Sequence, residues 1–160
     1  MTIQVGDRLP SATLTIMTAE GPKPLTTAEL CEGKKVVLFA VPGAFTPTCS
    51  VQHLPGYVEN AQSLKDRGVD AVACVSVNDP FVMGAWGKDR EVGEDLMMLS
   101  DGNGDFTAAI GLEMDGSGFG LGTRSQRYAM IIDDGVVSTL NVESGPGLDV
   151  SSAETILSEL

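Results

Sequence analysis

The chain has 160 residues and a formal net charge of -12 at pH 7, with 42% hydrophobic and 20% charged residues. This length predicts a single domain spanning residues 1–160, and the composition is that of an ordinary globular protein. The negative charge argues against nucleic acid and anionic membranes as partners, because both would repel it.

The start of the chain has no basic stretch followed by an apolar run, and no segment approaches the length needed to span a bilayer. We therefore expect a cytoplasmic protein. The three cysteines are Cys31, Cys49 and Cys74. Their odd number and wide spacing do not resemble a disulfide framework or a zinc site, so we expect reduced thiols and no bound metal.

The first part of the chain alternates strand and helix signals. Thr13–Thr18 is a strand candidate, and the Gly-Pro-Lys-Pro run at 21–24 is expected to break the chain after it. A capping-box pattern that begins at Thr26 predicts a short helix ending near Gly33. The apolar run at 35–41 then predicts a buried strand.

A strand-to-helix turn follows this strand. Thr46 has the chemistry of an N-cap, and Pro47 suits the first helical position, which places Cys49 in the first turn of the helix. There the unpaired backbone N–H groups and the helix dipole favour an anion, so the thiolate is preferred over the thiol. A cysteine in this position is a candidate nucleophile.

The helix that contains Cys49 is predicted to be long and amphipathic, with Pro55 causing a kink and Gly68 ending it. Its apolar face is expected to comprise Val51, Leu54, Val58, Ala61 and Leu64. The apolar run at 69–77 predicts a second strand, which a right-handed crossover makes parallel to the first.

Asp79 and Pro80 repeat the helix-start signal. The apolar side of that helix is expected to comprise Val82, Ala85 and Trp86. Further signals predict a strand at 96–99, a short helix at 104–110, a flexible loop at 116–122, a hairpin of strands 128–133 and 136–142, and a final helix capped by Ser151. This order predicts an α/β, thioredoxin-like fold with a central mixed sheet and helices on both faces.

The spacing Pro42-x-x-x-Thr46-x-x-Cys49 resembles the active-site motif of the peroxiredoxins, and the surrounding sequence is similar to their type II, or fifth, subfamily. The resemblance extends over residues 41–50, 53–56, 73–79, Trp86 and 124–128, and so covers nearly the whole chain. It implies a thiol peroxidase in which Cys49 is the peroxidatic cysteine and Pro42, Thr46 and Arg127 complete the site.

The chemistry of these side chains agrees with the roles that the resemblance implies. A thiolate attacks one peroxide oxygen, and donors must stabilise the charge that develops on the other. Arg127 can hold the thiolate and polarise the O–O bond, Thr46 can donate its hydroxyl to the thiolate or the peroxide, and Pro42 can cover the sulfur without offering an N–H. The product is a sulfenic acid on Cys49, which a second thiol must reduce.

The resemblance also implies a homodimer that binds no cofactor and draws electrons from an external thiol, either glutathione with glutaredoxin or thioredoxin. Cys74 is the only other thiol on the core scaffold and is a candidate resolving cysteine. We expect it instead to be a packed core residue, because reaching Cys49 would require the first helical turn to unwind.

Two rival functions remain open on the sequence. A thioredoxin-like disulfide oxidoreductase is disfavoured because Gln52 stands where a Cys-x-x-Cys motif needs its second thiol. The other rival is a chaperone or binding module without peroxidase turnover. His53 is interpreted as a structural or dimer-contact residue that points away from the thiol's reaction side, Arg124 as either support or a solvated charge, and Cys31 as incidental.

Overall fold

A computed structural model describes residues 2–145 and 147–160. Its strands are β1 (Thr13–Thr18), β2 (Gly21–Thr26), β3 (Lys35–Ala40), β4 (Ala71–Ser76), β5 (Met97–Ser100), β6 (Glu113–Asp115), β7 (Thr123–Ser125), β8 (Tyr128–Asp133) and β9 (Val136–Val142). Its α-helices are α1 (Thr27–Cys31), α2 (Leu54–Asp66), α3 (Pro80–Asp89), α4 (Asp105–Ile110) and α5 (Ala153–Ser158). A π-helical segment, Cys49–His53, directly precedes α2, and a 3-10 turn spans Ser117–Phe119.

Seven strands form one mixed sheet in the order β2-β1-β5-β4-β3-β8-β9. β3 pairs in parallel with β4 and antiparallel with β8, and β4 pairs in parallel with β5. Alternate residues of β3 enter two separate cores, in which α1 and α4 cover one face of the sheet and α2, α3 and α5 the other. The predicted thioredoxin-like fold is therefore confirmed, and the hairpin strands have the predicted bounds.

The run at 21–24 does not end the first strand, as the sequence predicted, but forms the start of β2. β2 lies at the edge of the sheet, where Pro22 pairs with Met17 and Pro24 with Thr15. A proline in an edge strand can leave its missing N–H on the solvent side without losing a ladder hydrogen bond. The two prolines are two residues apart, so both have the same orientation in the strand.

The glycine-rich segment at 116–122, predicted to be a flexible loop, closes a small antiparallel ladder of β6 and β7. The Gly116 N–H donates to the Gly122 carbonyl at 2.7 Å. A Cβ at Gly116 would stand 2.8 Å from Cβ of Leu121, so only glycine allows this close turn. The ladder matters for the site because β7 contains Arg124.

Two helices differ in detail from the prediction. The buried side of α3 is formed by Met83, Trp86 and Gly87, whereas Ala85 is exposed. Gly87 was absent from the apolar pattern, yet the lack of a Cβ there leaves room for Met98. A Cβ at position 87 would lie only 2.8 Å from Cγ of Met98. The final helix is capped by Ser152, which accepts the N–H of Thr155, and not by Ser151.

Among the described residues, no helix combines the length and the apolar character needed to cross a bilayer.

Candidate active site

The turn between β3 and the helical segment is tight. Phe45 has a left-handed φ of 65°, and the N–H of Ser50 donates to the Thr46 carbonyl at 2.9 Å as the first helical bond. Thr46 thus stands where the sequence predicted the N-cap. Its hydroxyl, however, donates to the Gly43 carbonyl at 2.7 Å. The proton that was expected to reach the sulfur or the peroxide is therefore engaged within the turn.

The helix begins with a wide turn because a π-helical segment, Cys49–His53, precedes α2. The N–H of Leu54 donates to the Cys49 carbonyl, five residues back, and the next residue is Pro55, which has no N–H to continue the ladder. One extra residue in this turn shifts every later side chain around the axis. Val51, which lies within this turn, is therefore 66% exposed rather than on the apolar face. The buried face of α2 itself comprises Leu54, Tyr57, Ala61 and Leu64.

Cys49 is fully buried at this helix start, where it contacts Arg127, which lies between β7 and β8. Nη2 of Arg127 lies 3.1 Å from Sγ of Cys49. Arg127 is only 8% exposed, and the ion pairs found among the described residues do not include it. A buried guanidinium without a carboxylate partner favours a negative charge on the group that it does contact. The structure thus places the cation of Arg127 directly against the sulfur of Cys49.

His53 belongs to this site, contrary to the interpretation from sequence. Its Nδ1 lies 2.9 Å from Nη1 of Arg127, and its Nε2 donates to the Ser151 carbonyl at 3.0 Å. Its side chain is 1% exposed, so it is not on a surface where a partner could contact it. Residues four apart share one side of a helix, so the spacing of His53 from Cys49 was an available signal, but no acidic residue that could orient the ring is evident in the sequence.

The ring of His53 is held in a fixed plane and is neutral. Phe39 stacks on Tyr57 with ring centroids 3.9 Å apart, and the Phe39 and His53 centroids are 4.9 Å apart. Burial, and secondly the positive charge of Arg127, lower the pKa of His53 to about 3. A neutral imidazole that donates from Nε2 has a free lone pair on Nδ1, which accepts the N–H of Arg127.

This low pKa predicts a loss of stability in mild acid. The unfolded chain protonates its histidine near pH 6.5, whereas the folded protein does so only near pH 3, so the unfolded state binds more protons between these values. We expect the free energy of unfolding to fall by about 2 kcal/mol between about pH 8 and about pH 5 from this group alone. Urea titrations of wild type and His53→Gln across that range should show the smaller pH dependence in the variant; parallel curves would contradict the assignment.

Arg124 supports the turn and is not a solvated charge. Its Nε donates to the Leu121 carbonyl at 3.0 Å and its Nη1 to the Pro42 carbonyl at 3.3 Å. A Cβ at Gly43 would lie 3.1 Å from that same Nη1, so glycine gives the guanidinium its space. Beside Pro42, a surface groove of about 470 Å³ is lined in part by Met114 and Arg127.

The other two cysteines are buried free thiols in different surroundings. Cys74 lies in β4 opposite Phe39 and belongs to the same core as Cys49. Burial, followed by the proximity of Cys49, raises the pKa of the Cys74 thiol well above its usual value. Cys31 ends α1 on the opposite face of the sheet, where burial raises its pKa to about 11 despite nearby Lys34. Neither thiol is disposed to ionise at neutral pH.

Within the part of the chain that the structure describes, no group of three or more His, Cys, Asp or Glu side chains is arranged to hold a metal ion. The arrangement instead offers one buried sulfur beside a fixed cation, at a helix start whose N–H groups favour an anion. Such a sulfur can act as a nucleophile, and the adjacent guanidinium can stabilise charge on a leaving oxygen.

The chain is similar to known proteins along nearly its whole length. The redoxin family model matches residues 4–157. The chain is 57% identical to chloroplastic peroxiredoxin-2E-2 of Oryza sativa subsp. japonica, over 99% of this chain and 73% of the relative. It is 49% identical to peroxiredoxin-2B of Arabidopsis thaliana, over 99% and 98% of the two chains. The crystal structure of reduced Prx3 from Vibrio vulnificus in complex with hydrogen peroxide superposes with a TM-score of 0.95 and 59% identity, covering 99% of each chain.

Proposed function

Because the chain belongs to the redoxin family, as a thiol peroxidase of the type II peroxiredoxin kind, we propose that its single domain reduces peroxides at Cys49. The observation that carries this proposal is the 3.1 Å contact between Nη2 of Arg127 and Sγ of Cys49 at a buried helix start. The substrates are hydrogen peroxide and small organic hydroperoxides, whose reacting oxygens would lie between the sulfur and the groove beside Pro42.

In the proposed reaction the Cys49 thiolate attacks one peroxide oxygen, an S–O bond forms and the O–O bond breaks. The electron pair of the broken bond goes to the other oxygen, which takes a proton and leaves as water or an alcohol. Arg127 first stabilises the thiolate and then the charge on the leaving oxygen. The sulfur, oxidised by two electrons, remains as a sulfenic acid.

Thr46 and Pro42 would complete the peroxide pocket. The Thr46 proton is engaged with Gly43, but its oxygen keeps lone pairs, so we assign it the role of acceptor for the peroxide O–H. Pro42 presents no N–H, and its carbonyl is held by Arg124, so it offers the sulfur no competing donor. The role of Thr46 thus differs from the donor role that the sequence suggested.

An external thiol would reduce the sulfenic acid, so the cycle needs no bound cofactor. We assign this role to glutathione with glutaredoxin, or to thioredoxin, in the reducing environment of the cytoplasm. A homodimer is the proposed assembly, and the side chains of Phe45 and Val51, 51% and 66% exposed on either side of Cys49 in the sequence, offer apolar surface for it.

The function is tested by following the consumption of hydrogen peroxide with purified protein and an excess of glutathione and glutaredoxin, or of thioredoxin and its reductase. We expect many turnovers per protein with at least one of the two donors. A matched assay of disulfide reduction distinguishes the rival redox function. Reduction of a protein disulfide without any peroxide consumption would contradict the proposal.

We expect Cys74→Ser to turn over near the wild-type rate with glutathione and glutaredoxin. Cys74 is fully buried in β4, and its thiol is held protonated, so it is a poor partner for the sulfenic acid while the helix start stays folded. The measurement is steady-state peroxide consumption, with thermal unfolding as the control for folding. Loss of activity in a folded Cys74→Ser protein, or a high yield of a Cys49–Cys74 disulfide after peroxide treatment, would make Cys74 the resolving residue.

A further inference from the structure

The carboxylate of Glu143, which follows β9, holds the segment at 149–151 in place through hydrogen bonds. One of its carboxylate oxygens, Oε2, accepts four hydrogen bonds. They come from the N–H groups of Asp149 and Val150 at 2.9 Å each, and from the N–H and hydroxyl of Ser151 at 2.8 and 2.6 Å. A carboxylate with this many donors holds a backbone segment much more firmly than a single neutral hydrogen bond does.

The carboxylate of Glu143 is suited to remain charged in this role. Its partial burial raises its pKa, but the Ser151 hydroxyl and the N–H groups of Asp149, Ser151 and Val150 lower it by more, so the net pKa is lowered. The hydrogen bonds therefore persist over the whole neutral range.

The segment held by Glu143 presents one carbonyl to the active site. The Ser151 oxygen accepts from Nε2 of His53 at 3.0 Å and from the Tyr57 hydroxyl at 2.8 Å. A carbonyl only accepts, so it requires the proton of His53 to be on Nε2. The Nδ1 lone pair is then directed at Nη1 of Arg127, which leaves Nη2 for the sulfur of Cys49.

Glu143 also contacts Arg127 directly through the backbone, because its N–H donates to the Arg127 carbonyl at 2.9 Å. The main chain of Arg127 and the segment that orients its guanidinium are thus both fixed by Glu143. The alternative tautomer of His53 would present an N–H at Nδ1 to the N–H of Arg127, and these two donors would repel each other.

We propose that Glu143 is a positioning residue, which fixes the Ser151 carbonyl and the His53 tautomer and thereby aims Arg127 at Cys49. The effect of this positioning on turnover rests on the proposed peroxide chemistry at Cys49. The positioning itself does not, because the tautomer can be observed in the resting protein. A small displacement of a catalytic cation is enough to slow a reaction strongly.

The test uses the imidazole nitrogen NMR shifts of His53, which need no further assignment because the chain contains a single histidine. In wild type we expect the Nε2–H tautomer at neutral pH. In Glu143→Ala we expect a mixture of tautomers, and a rate of peroxide attack in single turnover that falls about tenfold. Glu143→Gln keeps an acceptor oxygen without the charge and should give smaller changes in both measurements.

Glu159→Gln is the matched control, because it removes a negative charge from an exposed residue at the end of α5 that holds Asn141 and not the segment at 149–151. It should leave tautomer and rate unchanged. If Glu143→Ala does not fold, Glu143→Gln decides the question. A wild-type tautomer and rate in a folded Glu143 variant would overturn the proposal. A shifted tautomer in a protein that consumes no peroxide would support the positioning role and refute the proposed function instead.

Discussion

Cys49→Ser is expected to lower peroxide consumption by at least about a thousandfold, the scale of loss when an enzyme loses its nucleophile. A serine hydroxyl does not ionise at neutral pH, so the attacking group disappears. Its oxygen can still accept the hydrogen bond from Arg127 that Sγ accepts now, at 3.1 Å, so we expect the buried cation to keep its partner and the fold to persist. Peroxide consumption with excess reductant measures the change.

Cys31→Ser is the matched control for this experiment, because Cys31 is a buried thiol on the opposite face of the sheet. It should retain wild-type turnover. Circular dichroism and thermal unfolding of both variants separate a chemical effect from misfolding. Substantial peroxide turnover in a folded Cys49→Ser protein would mean that another group reduces the peroxide.

Arg127→Gln is expected to slow the attack on peroxide by at least about tenfold, as the loss of one charge-stabilising group does in other sites. In the proposed reaction, the substitution removes the cation that lies beside the sulfur and would stabilise charge on the leaving oxygen. It also breaks the contact with His53, whose Nδ1 lies 2.9 Å from Nη1. The measurement is the second-order rate constant of pre-reduced protein with hydrogen peroxide, followed by rapid mixing.

Arg124→Gln is the control for charge and size, since Arg124 contacts the carbonyls of Pro42 and Leu121 rather than the sulfur. It should have a smaller effect on the rate constant than Arg127→Gln. The reverse ranking would mean that Arg124, and not Arg127, provides the catalytic cation.

The sequence predicted the scaffold of the site well because the signals there are local. The hairpin at 128–142 follows from an Asp-Gly turn between two apolar runs, and the helix start at Cys49 follows from Thr46 and Pro47. The pairing of Arg127 with Cys49 joins residues 78 positions apart, and it was suggested by the resemblance to peroxiredoxins rather than by any local pattern.

What the sequence could not predict depends on distant backbone groups or on a change of helical register. His53 was interpreted as pointing away from the thiol, since no acidic residue that could orient it is evident in the sequence. Its partners in the structure, Arg127 and the Ser151 carbonyl, lie 74 and 98 positions further along the chain. The π-helical turn moved Val51 off the apolar face, since a pattern of 3.6 residues per turn does not include an extra residue. Glu143 had no motif at all, because its role lies in accepting N–H groups of the segment at 149–151.

The central claim is that peroxide reacts at Cys49 and not at the other thiols. Its most direct test is to mix pre-reduced protein with one equivalent of hydrogen peroxide in the presence of a sulfenic-acid trapping reagent, and to map the labelled peptides by mass spectrometry. The fluorescence of Trp86, the single tryptophan, whose Nε1 donates to Ser50 beside Cys49 at 2.9 Å, follows the same reaction in time. We expect label on Cys49 alone, formed far faster than a free thiol reacts; label distributed over Cys31 and Cys74, or formation no faster than for free cysteine, would contradict the account.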